Sequence, residues 1–282
     1  MHNNLFILLI FCVSVLAGYY FTPFFIDVFS RGGRLAENYK GELIPQGIGI
    51  VFVLYILPWY AIYLIITKLN LLEIIYLINI LILSMAFFAE SLIGFFDDMV
   101  GSRDTLGLKG HFKALLSGRL TTGALKAIVG LLISFIMSMF FCSGLFDIII
   151  NTLMMALFIN LLNLFDLRPG RAIKFYILLI LVFGINAIFT GNYISFLLMI
   201  PLIGSIIGYF PFDLKARCMM GDAGSNVLGI SAGIFATFQF GHYEKIVTLL
   251  LLVAIHIFTE KYSLSDVIKH NRILSFLDNL GR

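Results

Sequence analysis

Charged residues are scarce in this chain. Only 12% of its 282 residues are Asp, Glu, Lys or Arg, whereas 60% are hydrophobic and the mean hydropathy is +1.01. This balance excludes a water-soluble globular domain, in which about 25% of the residues are charged. Because a helix needs about 20 apolar residues to cross a bilayer, a chain of this length holds about nine spans and no separate soluble domain.

Cysteine is also rare. The three cysteines, Cys12, Cys142 and Cys218, are isolated in the sequence and show no metal-ligand spacing. They therefore indicate neither a disulfide framework nor a zinc site. The sequence also lacks an internal repeat, a low-complexity tract and the inverted pair of interrupted helices that marks many secondary transporters.

Long apolar segments are what the sequence has in abundance. They predict an all-α, polytopic membrane helix bundle whose nine transmembrane helices lie at 5–29, 45–67, 71–96, 122–142, 145–163, 174–190, 193–210, 227–240 and 246–260. The segments 145–163 and 227–240 are short for spans. Seventeen of the nineteen Lys and Arg residues fall on one side, which predicts an N-terminus outside and a C-terminus in the cytoplasm. We expect one transmembrane domain over 1–260 and a cytoplasmic tail over 261–282.

The polar residues are concentrated in the connections that are predicted to be cytoplasmic. Asp97 and Asp98 stand side by side at the end of the third span. Two carboxylates there repel each other and face the negative end of the helix dipole, so a cation should compensate them. Mg²⁺, which is usually held by one or two carboxylates and substrate phosphates, is the simplest candidate. The alternative is a solvated helix end that marks the membrane boundary.

A glycine-rich turn follows the seventh predicted span. Gly221 and Gly224 allow a tight turn, and Ser225 with its neighbour can cap a helix that begins near Val227 and leaves unpaired N–H groups at its start. Such a terminus suits a phosphate oxygen, so Asp222 is expected to be a metal ligand or a base beside a bound diphosphate. An ordinary connection between two spans is the alternative.

Four basic residues accompany these motifs. Lys109 and Lys113 are four residues apart and would share a helix face, where they either neutralise phosphate beside the aspartates or anchor the protein at anionic lipid headgroups. Arg168 and Arg171 carry planar guanidinium groups that suit bidentate recognition of phosphate or carboxylate. Positive-inside charge explains the two arginines equally well.

Two further polar sites lie inside predicted spans. Glu90 is two helical turns before Asp97, and a carboxylate at that depth is costly unless it faces a partner or a wet cavity. It either lines the site, has a structural partner, or is a protonated residue of the core. His256 and Glu260, spaced i and i+4 in the last span, indicate a local helix pair.

Several motifs occur in a fixed order. They are Tyr39-Lys40-Gly41-Glu42, Ile44-Pro45-Gln46-Gly47, Asp97-Asp98, Gly107-Leu108-Lys109 with Lys113, Asn160 with Asn163 and Asp166, and Gly221-Asp222-Ala223-Gly224-Ser225. In this order the sequence resembles the polyprenyl-phosphate N-acetylhexosamine-1-phosphate transferase superfamily, glycosyltransferase family 4. The resemblance covers residues 39–229. Any one motif is weak, whereas the ordered set is specific.

The resemblance implies a membrane enzyme of the bacterial plasma membrane. Such enzymes transfer a sugar 1-phosphate from a UDP-sugar to polyprenyl (undecaprenyl) phosphate at the cytoplasmic face, release UMP, and use Mg²⁺, with Mn²⁺ as an alternative, in cell-envelope polysaccharide or peptidoglycan-type biosynthesis. The expected partners are these two substrates and the lipid bilayer, together with a second copy in a homodimer, and no nucleic acid.

The resemblance and the residue types together give a set of candidate site residues. Asp97, Asp98 and Asp222 are the expected catalytic residues, with Asp98 and Asp222 as metal ligands. The expected substrate-binding residues are Lys109, Lys113, Asn160, Asn163, Asp166, Arg168, Arg171, Gly221, Gly224 and Ser225.

The sequence also departs from the family pattern. Leu167 follows Asp166 where the family has Gly, and the chain shows neither the His-rich loop near the C-terminus that recognises the sugar nor the span that follows it. A non-catalytic relative that binds polyprenyl phosphate or scaffolds a cell-envelope complex is therefore the alternative function. A transporter is disfavoured, because the carboxylates cluster at one membrane face rather than near mid-bilayer.

Overall fold

The computed structural model describes residues 2–69, 74–101, 110 and 117–282. The helices with described bounds are numbered in chain order: α1 His2–Arg31, α2 Val51–Lys68, α3 Ile74–Val100, α4 Thr122–Phe141, α5 Leu145–Phe165, α6 Arg171–Thr190, α7 Ile194–Leu214, α8 Asp222–Gln239, α9 His242–Thr259, α10 Leu264–His270 and α11 Arg272–Asn279. A short antiparallel hairpin, β1 (Leu35–Glu37) and β2 (Leu43–Pro45), and a 3-10 turn at Ile48–Ile50 separate α1 from α2. The all-α prediction is confirmed, with this hairpin as the one strand pair in the described part.

Eight of the described helices, α1 to α7 and α9, are long and apolar enough to cross a membrane. The prediction of a polytopic membrane bundle is therefore confirmed. The ninth predicted span, 227–240, does form a helix, α8, but α8 is not among the eight. It differs from them in being enclosed by the rest of the bundle.

Helix α8 is the buried centre of the molecule. It packs against α3, α5 and α6, and nearly all of its side chains are buried. A Cβ on Gly229 would lie 2.7 Å from the Phe158 carbonyl oxygen, and one on Gly233 would lie 2.7 Å from the Met155 Cα, so only glycine permits this approach to α5. Protein rather than lipid surrounds α8, and the helix accordingly tolerates polar residues such as Ser231, whose hydroxyl hydrogen-bonds that of Tyr176 at 3.0 Å.

The outer helices present apolar surface outward. In the hydrophobic stretches of α1 and α9, only 22% and 11% of the residues are buried inside the protein. Their exposed residues are large and apolar, such as Leu9 and Phe24 on α1 and Leu250 on α9. A soluble monomer rarely exposes so much contiguous apolar surface, whereas the hydrocarbon core of a membrane requires it.

One end of the bundle collects the predicted motifs. The segment after β2 forms backbone hydrogen bonds with the segment before α8: the Met219 N–H donates to the Pro45 carbonyl at 2.7 Å, and the Gly49 N–H donates to the Met220 carbonyl at 2.9 Å. This pairing holds the Ile44–Gly47 motif beside the Gly221–Ser225 motif. The last turn of α3 and the start of α4 reach the same place.

Candidate active site

Asp98 joins the end of α3 to the start of α8. Its Oδ1 accepts hydrogen bonds from the Gln46 side-chain amide at 3.0 Å and from the Asp222 N–H at 3.1 Å. Its Oδ2 accepts from the Ala223 N–H at 3.0 Å. A carboxylate with three donors on two oxygens is firmly fixed, because each charge-assisted bond is stronger than a neutral one. Asp98 therefore connects α3, the segment after the hairpin and the first turn of α8.

Glycine makes this approach of α3 to α8 sterically possible. Gly221 adopts φ +69°, and a Cβ there would lie 2.5 Å from Oδ2 of Asp98. On α3, a Cβ on Gly94 would overlap the Asp222 carbonyl and lie 2.8 Å from the Ala223 nitrogen. Both glycines are needed because the backbone of one element lies directly against the other.

Four successive backbone amides before and within the first turn of α8 are held by carboxylates. The Met220 N–H donates to Asp213, and the Gly221 N–H donates to Asp166. The next two amides donate to Asp98, as described above. Three acidic side chains, contributed by α3, the end of α5 and α7, thus share one short stretch of backbone.

This arrangement corrects the expectation for the glycine-rich turn. The helix begins at Asp222 rather than near Val227, and Ser225 lies within its first turn instead of capping it. The amides that were expected to be free for a phosphate oxygen already have Asp98 as their acceptor. The negative side chain takes the place of an external anion at this helix N-terminus.

Lys126 connects the other two aspartates. Its ammonium group lies 3.4 Å from Oδ2 of Asp97 and forms a short ion pair with Oδ2 of Asp222. The three side chains are 17–28% exposed, so the cluster is partly accessible from outside the protein. From the sequence alone, Lys126 is one of the seventeen basic residues on the predicted cytoplasmic side. The signal for its role is its position in the second turn of α4, a long apolar helix, where a lysine is costly unless it has a charged partner.

Asn163 links α5 to α8. Its Oδ1 accepts a short hydrogen bond from the Ser225 hydroxyl, and its Nδ2 donates to Oδ1 of Asn226 at 2.9 Å. The Asn226 amide in turn donates to the Glu90 carbonyl oxygen on α3 at 3.2 Å. The predicted substrate ligands Asn163 and Ser225 are therefore in contact with each other, and their polar groups are engaged with protein.

Asp166 lies just beyond the end of α5. Burial raises the pKa of its carboxyl well above the usual range, and the nearby carboxylates of Asp213, Asp222 and Asp98 raise it further. The N–H of Gly221 opposes this rise by donating to the carboxylate. Asp166 therefore carries a proton at a higher pH than an exposed aspartate does.

The remaining predicted ligands are dispersed. Arg168 stacks on the Tyr39 ring of the hairpin, with its guanidinium carbon 4.7 Å from the ring centroid. Arg171 is buried and pairs with Asp278 in the C-terminal tail at 2.8 Å, so the structure does not bring it to the aspartate cluster. Asn160 lies half-buried about one turn before Asn163. Lys109 and Lys113 lie outside the described residues.

One known protein family matches the part of the chain that contains this cluster. The model of "Glycosyl transferase family 4" matches residues 80–239, more than half of the chain. The chain belongs to glycosyl transferase family 4. Within that match lie Asp97, Asp98, Lys126, Asn163 and Asp222, whereas the hairpin and the C-terminal tail lie outside it.

Curated relatives of this family 4 chain are phospho-N-acetylmuramoyl-pentapeptide-transferases. Those of Streptococcus pneumoniae strains CGSP14 and Hungary19A-6 are 30% and 29% identical over 116 residues, which is 41% of this chain. The matched segment spans about a third of the length of either relative, 34%.

Proposed function

We propose that the protein transfers a sugar 1-phosphate from a UDP-sugar to a polyprenyl phosphate at the cytoplasmic face of the membrane and releases UMP. The observation that carries the proposal is the convergence of Asp97 and Asp222, from two different helices, on the ammonium group of Lys126. This cluster lies at one end of a bundle whose outer surface is apolar, where a lipid phosphate and a soluble nucleotide can both reach it.

The family implies a divalent metal, and the carboxylates of Asp97 and Asp222 are the donors that the cluster offers to it. Among the described residues, no three His, Cys, Asp or Glu side chains converge as a ready-made metal site. Two carboxylates already share one cation, the Lys126 ammonium, and Mg²⁺ is usually bound by one or two carboxylates with substrate phosphates completing its shell. The donor set therefore fits Mg²⁺ held together with substrate.

Asp97 and Asp222 are the side chains that would hold the metal. The sequence predicts Asp98 and Asp222 for this role, but both oxygens of Asp98 accept hydrogen bonds from protein donors. We therefore assign Asp98 to positioning the first turn of α8. When bound, a divalent cation would offset the negative charge of the phosphates.

The chain's own residues account for the rest of the reaction. An oxygen of the polyprenyl phosphate attacks the sugar-linked phosphorus of the UDP-sugar, a new P–O–P linkage forms, and the old one breaks so that its oxygen leaves with UMP. Lys126 neutralises phosphate charge during this approach. The network of Asp98, Asp166 and Asp213 keeps Asp222 in place.

The test is a donor panel. Membranes containing the protein, given undecaprenyl phosphate, Mg²⁺ and a series of UDP-sugars, should release UMP from at least one donor. Asp222→Asn should abolish the release. Asp147→Asn is the matched control, because Asp147 lies in the first turn of α5, about 24 Å along the helix from Asn163, and its side chain forms a partly exposed contact with His242.

A second candidate function is polyprenyl-phosphate binding without turnover. It is favoured by the engagement of Asn163 and Arg171 with protein groups, which leaves fewer side chains for a nucleotide. Binding of undecaprenyl phosphate with no UMP release from any donor would support it, and turnover that depends on Asp222 would end it.

A further inference from the structure

The C-terminal helix α11 exposes its apolar face, whereas its polar face contacts the bundle. Ile273, Phe276 and Leu277 are spaced i, i+3 and i+4, which puts them on one face of the helix, and Leu280 follows directly after the last helical residue, Asn279. Ile273 is 72% and Phe276 is 66% exposed, and the other two are at least half exposed. In a soluble protein such a stripe packs against the core, whereas here it faces outward.

The polar face of α11 is the one that is tied to the bundle. Both oxygens of Asp278 accept hydrogen bonds from the Arg171 guanidinium, at 2.8 and 2.9 Å. The Lys174 ammonium donates to the Leu277 and Asp278 carbonyl oxygens at 3.1 and 2.7 Å. Beyond the helix, Arg282 donates to the Pro169 carbonyl at 2.8 Å. These contacts fix the apolar stripe on the side away from α6.

The same contacts place α11 at the level of the membrane boundary. Arg171 and Lys174 form the first turn of α6, a candidate span of 20 residues. At 1.5 Å per residue this helix is about 30 Å long, which is the thickness of the hydrocarbon core, so its first turn must lie at the edge of the core. Helix α11, which is bound to that turn, therefore lies at the interface between the hydrocarbon core and water.

We propose that α11 is an interfacial helix whose stripe Ile273-Phe276-Leu277, together with the exposed Leu280 that follows the helix, inserts into the headgroup–acyl boundary of the bilayer. The occupant of the stripe is lipid, because α11 is held against the first turn of α6, at the level of the membrane boundary. Lys269 and Arg272 beside it have no ion-pair partner among the residues the structure describes, and their charge suits lipid phosphates. A helix at this position anchors the loop 166–171 to the membrane surface.

Fluorescent labels at single cysteines test the proposal on the full-length protein. Cys12 and Cys142 are replaced by Ser, and buried Cys218 is retained. The environment-sensitive dye NBD is attached at Phe276→Cys, in the stripe, or at Asn279→Cys. Asn279 is the matched control because it is exposed on the same helix but lies off the stripe. The labelled proteins are placed singly in nanodiscs of phosphatidylglycerol and phosphatidylethanolamine, and unlabelled samples are compared by thermal unfolding.

The expected result is a difference between the two labels. Nitroxide-labelled lipid chains should remove most of the emission at Phe276→Cys and little at Asn279→Cys, and aqueous iodide should do the reverse. Equal iodide quenching at both positions would overturn the proposal. So would protection at Phe276→Cys that appears only when two copies share a nanodisc, or only after a soluble protein is added, since the stripe would then be an interface between proteins.

Discussion

Gly94 lies where α3 crosses the first turn of α8, and a single methyl group there should disable the site. In Gly94→Ala the new Cβ would lie 2.8 Å from the Ala223 nitrogen and still closer to the Asp222 carbonyl oxygen, whereas ordinary contacts begin at 3.4 Å. The two helices must therefore separate by at least 0.6 Å. The obstacle is backbone, so no side-chain rotation relieves it.

Two magnitudes follow from this separation. Forcing an extra methyl group into a closely packed interior costs about 1–3 kcal/mol of unfolding free energy. The larger effect is on activity, because Asp97 moves with α3 and Asp222 moves with α8. Since a misplacement of about 1 Å can cost about 100-fold in rate, we expect the initial rate of UMP release per folded molecule to fall about 10- to 100-fold.

Gly130→Ala is the matched control. A Cβ on Gly130, in α4, would lie 3.5 Å from Oε1 of Glu90, which is an ordinary contact. Because Ala favours a helix over Gly by about 1 kcal/mol, this variant should keep its activity and its thermal stability. The steric reasoning would be refuted if Gly94→Ala, assayed beside an active wild type, released UMP at the wild-type rate and unfolded at the wild-type temperature.

Three further predictions address Asp213, Lys126 and the C-terminal tail. Asp213→Ala leaves the backbone N–H groups of Gly170 and Met220 without their acceptor. The detergent-solubilised protein should therefore lose about 1–3 kcal/mol of unfolding free energy and most of its activity. Lys126→Met removes the ammonium group that two carboxylates share, and UMP release should fall about 100-fold or more, with partial recovery in Lys126→Arg. The tail should detach in acid. Burial alone would raise the pKa of Asp278, but hydrogen bonds from Arg171 and Arg282 lower this pKa below the usual value of 3.8. The carboxylate therefore stabilises the attachment of the tail fully above pH 3.8, and this stabilisation is lost as the pH falls through the lowered pKa. Limited proteolysis of the tail in acid measures the loss.

Each of these predictions has an outcome that contradicts it. Wild-type stability of Asp213→Ala would mean that water or another group satisfies the two amides. Undiminished turnover in Lys126→Met would show that its pairing with the aspartates has no part in catalysis. Equal acid sensitivity of the tail in wild type and Asp278→Asn would remove the carboxylate as the titrating group.

The spans and the location of the site were accessible from sequence because both follow from local patterns. A run of about 20 apolar residues is a membrane helix whatever its neighbours are, and eight of the nine predicted spans are such helices. Asp97-Asp98, Asn163 and Gly221-Asp222 each follow a span end, so their position at one end of the bundle also follows from the chain alone. Helix α8 is not among the eight because its 18 residues, which include Asp222, Asn226 and Gln239, are more polar than those of the other long helices.

The partners of individual side chains were not accessible in the same way. Asp97 and Asp98 are adjacent and chemically identical, yet one contacts Lys126 and the other accepts backbone amides more than 120 residues away. Arg171 looked like a phosphate ligand because its true partner, Asp278, is 107 residues distant. These pairings depend on which face of each helix is turned inward, and that is decided by packing against helices elsewhere in the chain.

The row of amides from Met220 to Ala223 has a consequence for how the protein is made. Its acceptors, Asp98, Asp166 and Asp213, belong to parts of the chain that enter the membrane at different times during synthesis. The geometry around Asp222 can therefore not exist in a partly inserted chain, since each missing helix leaves amides or carboxylates unpaired. The complete arrangement around Asp222 then arises only after the ribosome has passed residue 223 and the earlier helices have docked.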